Sequence, residues 1–359
     1  MSDPKTYVLV YYLFLLAFTF MFYVNREDSS LKSSFRYAIF FAVVVVLFLG
    51  YREMSGFFGD TGHYLRQYKH MCKFPTLAGY KDLGFTILTY FLTFLNNPRY
   101  YFVIIAFLYA IPLVLAYKKY LPQGVYALTL LTVGSFSFFG FGVNGLRNGL
   151  ATTSLILAFL NPRLVWQVGL CVVAYYMHKS ALLPITVFFV AKYYTKPKMF
   201  LYLWAGCFLL SLVTRNAIQP LIDQIDVIND DVASATAGYL GSRFSVFKEG
   251  HFSSTGYRWD FFLYGIVPII MGYYFIFKRE FEDYLYKVLY CTYVGANAFW
   301  LFTIYVPYNN RFAYLSWFLY PLVIGYPLVS NKELISRQDC RLGEVVLLNY
   351  LFTFIMYLR

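Results

Sequence analysis

The sequence predicts an all-α polytopic membrane protein with about 12 transmembrane helices, roughly 11–13. Of its 359 residues, 60% are hydrophobic and only 13% are charged, which is half the usual charged share of a soluble domain. So few charges cannot cover the surface of a soluble protein of this size, and so much apolar surface excludes a disordered chain. Mean hydropathy is +0.55, and apolar runs approaching or reaching spanning length recur along the chain.

The apolar runs are long enough to predict individual spans. They lie at 6–24, 35–51, 99–117, 123–141, 145–160, 163–177, 180–193, 199–214, 259–277, 284–306, 311–328 and 342–358. No linker or repeat divides them, so residues 1–359 are predicted to form a single transmembrane domain.

Two long interruptions, 52–98 and 215–258, are predicted to be extracytoplasmic loops. Within the first loop, the run 83–95 is about 13 residues long, which suits a helix lying at the membrane surface better than a span. If 83–95 does not cross, the predicted topology closes with the N-terminus placed outside.

Basic residues outnumber acidic ones by 30 to 18, giving a net charge of +12. They are scattered in short loops, a pattern of membrane topology rather than of nucleic-acid binding. With the N-terminus outside, fifteen of them fall in inner loops and five in short outer segments. The remaining ten lie in the two long outer loops, which are treated as functional exceptions to the positive-inside rule.

Uncommon polar residues gather on the predicted outer side. The first loop begins GYREMSGFFGDTGHY and offers Arg52, Asp60 and Tyr64. Arg52 stands at a membrane boundary, where a charge is costly without a purpose. Asp60 follows a glycine in an aromatic stretch, and a carboxylate there can act as a base.

A second group is predicted at the start of the span 145–160. Asn144 and Arg147 are three residues apart in VNGLRNGLA and share one helix face. An arginine at the head of a membrane helix needs an anionic partner, either a carboxylate or a ligand phosphate. His178, in YYMHKSALLP, interrupts two apolar runs at an outer turn.

Two further boundaries carry candidate residues. Arg258 and Asp260 stand at the start of the span 259–277, and Asn310 and Arg311 at the start of 311–328. Because Arg258 and Asp260 are two residues apart, an ideal helix would point them to different sides, and they need not pair.

Several arginines with one or two carboxylates suit the transfer of a sugar from a lipid diphosphate. The arginines would stabilise the leaving diphosphate, and a carboxylate would deprotonate the acceptor hydroxyl. Neither GxxxxGK[ST] nor a GxGxxG motif after a strand occurs in the sequence, which fits a lipid-linked donor. No compact carboxylate cluster accompanies Asp60, so we expect no metal and no other cofactor.

The motifs GYRE…GDTGHY, NGLRNGLA, MHKSALL, NNRF…Y and GYRWDFFLY together resemble the EpsG family of polysaccharide polymerases, which are similar to Wzy proteins. The resemblance implies a bacterial inner-membrane enzyme that polymerises capsule, exopolysaccharide or O-antigen repeat units carried on undecaprenyl diphosphate. It also implies an active site facing the periplasm or exterior and a possible chain-length regulator as partner. A looser likeness to GT-C glycosyltransferases implies helices that lie on the membrane surface, for which the segments 62–72 and 83–95 would be suited.

The resemblance implies roles for single residues, mapping the family's functional positions onto Arg52, Asp60, Tyr64, Arg147, His178 and Arg311. The resulting hypothesis makes Asp60 the catalytic base, with Asp260 as second candidate, and has His178 position a phosphate or sugar. Arg147 and Arg311, with Arg52 or Arg258, would clamp the diphosphate. Tyr64, Asn144 and Asn310 complete the predicted substrate-binding set.

Two other functions fit the same residues. A transporter or flippase of lipid-linked or anionic substrates also contains intramembrane arginines, although the inverted repeats that would favour it are not evident. A membrane O-acyltransferase could use His178 as base, but no second polar partner or acyl-donor channel is identifiable in the sequence.

Overall fold

The computed structural model describes residues 3–77, 82–214, 257–305, 310–330 and 332–358. Helix makes up 83% of those residues and no strand occurs among them, so the predicted all-α class is confirmed for the described part of the chain. Most of the predicted outer loop 215–258 lies outside the described residues.

The helices before residue 215 follow the predicted apolar runs closely. They are α1 (Pro4–Val24), α2 (Ser29–Lys32), α3 (Phe35–Tyr51), α4 (Thr61–Lys73), α5 (Leu83–Leu92), α6 (Pro98–Tyr120), α7 (Val125–Val133), α8 (Phe136–Val143), α9 (Leu146–Leu160), α10 (Leu164–Met177), α11 (Leu182–Tyr193) and α12 (Pro197–Thr214).

The helices described after residue 256 complete the bundle. They are α13 (Trp259–Tyr273), α14 (Tyr284–Phe302), α15 (Asn310–Trp317), α16 (Tyr320–Val329) and α17 (Gln338–Leu358). The helix α17 packs against α1, so the two ends of the chain lie side by side.

Five helical stretches in the described residues are long and apolar enough to cross a membrane. They are Pro4–Val24, Pro98–Tyr120, Trp259–Lys278, Arg311–Val329 and Gln338–Leu358. Shorter apolar helices, among them Phe35–Tyr51 and Leu146–Leu160, accompany them. The chain is therefore built as a multi-pass membrane protein, while the count of about 12 spans stays a prediction.

The centre of the bundle is formed by helices that are apolar on all sides. Every residue of α7 and of α16 is buried, as are most residues of α14. A helix without a polar face is stable only when other helices surround it or lipid does. At Gly325 the helix α16 approaches α7 so closely that an added Cβ would lie 2.6 Å from Leu131 Cδ1.

The predicted span 123–141 is broken in the structure. Its two helices, α7 and α8, meet at an angle of 69°. The break is stabilised by α17, where Asn349 donates to the carbonyl of Leu131 and Thr353 to that of Gly134. These side chains satisfy carbonyl groups that a bend in an apolar environment would leave without partners. The sequence pattern missed the break because α8 is as apolar as α7.

Both surface segments expected in the first loop are helical. Residues 62–72 fall within α4, and 83–95 form α5 followed by a short 3₁₀ turn. Helix α4 buries Tyr64, Tyr68 and Met71 on one face and contacts α5. Their position relative to a membrane surface stays a prediction.

Candidate functional site

A polar cavity lies where several helices begin. The volume open to the centre of a water molecule is about 70 Å³, and all empty space at the site, including open solvent, is about 540 Å³. Its wall consists of Asp60, Tyr64, Gly140, Phe141, Asn144, Gly145, Arg147, Asn148, His178, Arg311 and Tyr314. Six of the residues predicted from sequence are therefore brought together, although they span about 250 positions of the chain.

Asp60 is held in place by its neighbours in the chain and by Asn144. Gly59 has a φ of +62°, a backbone conformation that residues with a Cβ rarely adopt. The turn at Gly59 presents the backbone N–H of Asp60 to Asn144, whose Oδ1 accepts it at 2.7 Å. The carboxylate of Asp60 is 38% exposed, and its Oδ2 lies 3.9 Å from Nη2 of Arg311.

Asn144 has a structural role in addition to its place in the wall. It stands between α8 and α9, so its hydrogen bond joins the first loop to the second predicted motif. Tyr64 lies one turn into α4, and its ring centroid is 6.0 Å from the guanidinium carbon of Arg147.

Arg52 lies beside the cavity and does not line it. The residue is 1% exposed, and its guanidinium donates to Thr61 Oγ1 at 3.1 and 3.2 Å and to the carbonyl of Val143 at 3.3 Å. It also donates to the carbonyl of Leu49 near the C-terminus of α3, where a cation interacts favourably with the negative end of the helix dipole. Arg52 therefore connects α3, α4 and α8 through hydrogen bonds within the protein.

The structure adds one acidic residue that the sequence motifs did not single out. Asp82, at the N-terminus of α5, accepts a hydrogen bond from Arg147 Nη1 at 2.5 Å. The same oxygen, Oδ2, lies 3.2 Å from Nδ1 of His178. The only signal in the sequence was an acid immediately before the apolar run LGFTILTY, which resembles an ordinary helix N-cap.

The Asp82 carboxylate is ionised at neutral pH. Burial raises its pKa, but the hydrogen bond and charge of His178 and the charge and hydrogen bond of Arg147 together outweigh that effect. The pKa of Asp82 is therefore below the ordinary value of 3.8.

Three helix N-termini contribute positive potential to the cavity. Asp60 is the N-cap of α4, Gly145 is the N-cap of α9, and Asn310 begins α15. Each helix N-terminus carries a partial positive charge and backbone N–H groups without helical partners. Together with Arg147 and Arg311, these ends favour an anionic ligand.

Arg258 and Asp260 are not brought into the cavity wall. They form a two-point ion pair with each other, with N···O distances of 2.9 and 2.7 Å. The predicted helical geometry, which would point them to different sides, does not apply, because Arg258 precedes the first turn of α13 and has a non-helical backbone. Its guanidinium lies over the ring of Phe261, at 3.7 Å from the centroid. The side chain of Asn310 lies outside what the structure describes.

No group of three His, Cys, Asp or Glu side chains that could hold a metal ion occurs within the described ranges. The expectation of a site without metal or other cofactor stays a prediction.

Long apolar helices, together with a cavity lined by arginine, aspartate and histidine side chains, define a multi-pass membrane protein with a charged site. The particular family follows from comparison with known sequences. The EpsG family model matches residues 35–359, nearly the whole chain, so the protein belongs to the EpsG family, a group of Wzy-like polymerases. The resemblance drawn from the motifs is thereby confirmed. Neither a curated protein nor a solved structure matches the chain.

Proposed function

We propose that the protein is a glycosyltransferase that polymerises oligosaccharide repeat units linked to undecaprenyl diphosphate, on the extracytoplasmic face of a bacterial inner membrane. Membership of the EpsG family supports a role in polysaccharide polymerisation. The observation that carries the specific reaction is the meeting of Asp60, Arg147, His178 and Arg311 in one cavity at the helix N-termini.

In the proposed reaction the hydroxyl oxygen of the acceptor repeat unit attacks the anomeric carbon of the donor glycan. The bond from that carbon to the diphosphate oxygen breaks, and the diphosphate leaves with the electron pair. Asp60 accepts the proton of the acceptor hydroxyl. Its exposure to the cavity supports this assignment over Asp260, whose carboxylate is engaged by Arg258.

Arg147 and Arg311 would bind the diphosphate as negative charge develops on it. A guanidinium offers several donors in a fixed plane, which suits phosphate oxygens better than a point charge does. His178 would contact a phosphate or sugar from the same wall, and Tyr64 and Asn144 would shape the site. Arg52 would act indirectly, by fixing the segments on which Asp60 and Asn144 stand.

Purified protein in lipid nanodiscs, supplied only with lipid-linked repeat units, tests the proposal. We expect a ladder of longer glycans without any nucleotide sugar. Asp60→Asn should leave single repeat units on lipid. The matched control is Asp28→Asn, which changes an exposed acid that caps α2. A wild-type protein that moves the lipid-linked substrate across a membrane without lengthening it would be a transporter, and the proposal would be wrong.

A further inference from the structure

Asp82 lies behind the cavity wall rather than in it. Its side chain is 5% exposed, and it is absent from the residues that line the cavity. Both of its partners, Arg147 and His178, do line the cavity. Asp82 therefore has no direct contact with a ligand in the cavity, and it can act on one through the position of these two side chains and through its own charge.

The other carboxylate of the site stands in a different relation to its arginine. Asp60 and Arg311 are separated by 3.9 Å, which is too long for a direct hydrogen bond, and Asp60 is open to the cavity. Asp82 and Arg147 are in hydrogen-bond contact, and Asp82 is 5% exposed whereas Arg147 is 23% exposed. The exposed acid can reach a substrate, whereas the buried acid is fixed to the wall.

In each of these two pairs the positive charge of the arginine is compensated by the negative charge of the aspartate. Two arginines face two carboxylates, so a diphosphate entering the site meets cations whose charge is already partly compensated. After sugar transfer the lipid product still carries its diphosphate and must leave before the next cycle. A cluster of uncompensated cations would hold donor and product equally well, and such uniform binding does not accelerate turnover.

We propose that Asp82 is a positioning residue that holds Arg147 and His178 toward the diphosphate, and that its buried negative charge limits how tightly this group is bound. The inference rests on the proposed function, because it takes a diphosphate to be the ligand. Charges separated by a few ångströms inside a protein interact strongly enough to change affinity severalfold.

Binding of inorganic pyrophosphate to the protein in nanodiscs, measured by titration calorimetry, tests the charge effect. Asp82→Asn removes the charge but keeps the shape and one acceptor oxygen. We expect it to bind pyrophosphate at least fivefold more tightly than the wild type and to polymerise at least tenfold more slowly. Asp82→Glu keeps the charge, so its pyrophosphate affinity should stay within twofold of the wild type.

Asp339→Asn is the matched control. Asp339 forms an ion pair with Lys32 at 2.5 Å, and both residues line a different cavity at the start of α17. Loss of that pair should leave pyrophosphate affinity and polymerisation at wild-type values. A purely structural role for Asp82 predicts weaker pyrophosphate binding in Asp82→Asn instead of tighter binding.

A second background keeps the test valid if Asp82→Asn alone does not fold. Arg147→Gln removes the arginine charge and leaves the charge of Asp82 without its partner. Adding Asp82→Asn removes that remaining charge as well. We expect Arg147→Gln to weaken pyrophosphate binding and the double variant to regain at least fivefold. The same gain should persist in a His178→Gln background, which excludes a change in imidazole protonation as its source.

Unchanged or weaker pyrophosphate binding in Asp82→Asn, or no regain in the double variant, would overturn the role of Asp82. This result is separate from a failure of the proposed function, which would show as a wild-type protein that binds pyrophosphate but forms no glycan ladder. Absence of pyrophosphate binding in the wild type and in every variant would overturn the inference together with the diphosphate site on which it rests.

Discussion

Gly59→Ala should greatly reduce activity although it replaces no side chain of the cavity wall. The backbone at Gly59 has φ +62° and ψ −124°, a conformation essentially restricted to glycine. A Cβ added there would lie 2.2 Å from Oδ1 and 2.5 Å from Cγ of Asn144. The side chain of Asn144 must then move, and its hydrogen bond to the N–H of Asp60 is lost.

The expected size of the effect follows from these contacts. Strain in a restricted backbone conformation costs about 1–3 kcal/mol, and a lost hydrogen bond costs about 1 kcal/mol net. The added Cβ is 2.2 Å from Asn144 Oδ1, whereas ordinary contact begins at 3.4 Å, so the turn that holds Asp60 and the side chain of Asn144 must separate by about 1 Å. A misplacement of about 1 Å lowers the rate roughly 100-fold. We therefore expect Gly59→Ala to reduce polymerisation by about 100-fold.

The assay is glycan-ladder formation by purified variants, with folding checked by thermal unfolding in detergent. Gly56→Ala is the matched control, because a Cβ at that glycine meets no atom within 4 Å. It should polymerise within about twofold of the wild type, since surface changes away from such contacts are nearly neutral. A folded Gly59→Ala protein with more than a third of wild-type activity would refute the reasoning.

Three further predictions follow from the same contacts. Arg147→Lys keeps the charge but loses the planar donor arrangement, so ladder formation should fall by about tenfold or more; unchanged activity would show that charge alone suffices. Arg52→Lys cannot bridge Thr61 and Val143 together, so thermal unfolding should reveal a loss of about 1–3 kcal/mol, and a wild-type melting temperature would contradict the connecting role of Arg52. The pKa of Asp82 is lowered in the folded protein, so its contribution to stability is complete above its ordinary pKa of 3.8 and is lost as pH falls through the folded value. The difference in melting temperature between the wild type and Asp82→Asn should therefore shrink as the pH falls below about 4; a difference that grows over that range would contradict the assigned direction.

The motifs in the sequence were informative where function requires a charge in an apolar setting. Arg147 and His178 stood out because charged or polar groups at the ends of membrane helices are uncommon without a purpose. Asp60 stood out through its glycine and aromatic neighbours. The structure places these three side chains around one cavity, as the resemblance to a polymerase family implied, while their catalytic and binding roles stay predictions.

The contacts of Asp82 could not be predicted from the sequence because its partners are distant in the chain. Asp82 contacts Arg147, 65 positions away, and His178, 96 positions away. The sequence context of Arg52, at a predicted membrane boundary, is that of a ligand-binding arginine. In the structure its guanidinium donates to carbonyl and hydroxyl oxygens of the protein. Which acceptor a guanidinium meets depends on packing between helices, and that packing has no local pattern.

The sequence alone determined that this chain is a helical membrane protein, because 60% hydrophobic residues with 13% charged residues permit little else. It also determined the family, through short polar motifs in a fixed order. The tertiary structure decided that Asp60 is exposed and Asp82 is buried. Such differences depend on how the helices pack and bend, as at the break after α7. Composition and periodicity act along the chain, whereas the electrostatics of a site depend on distances across it.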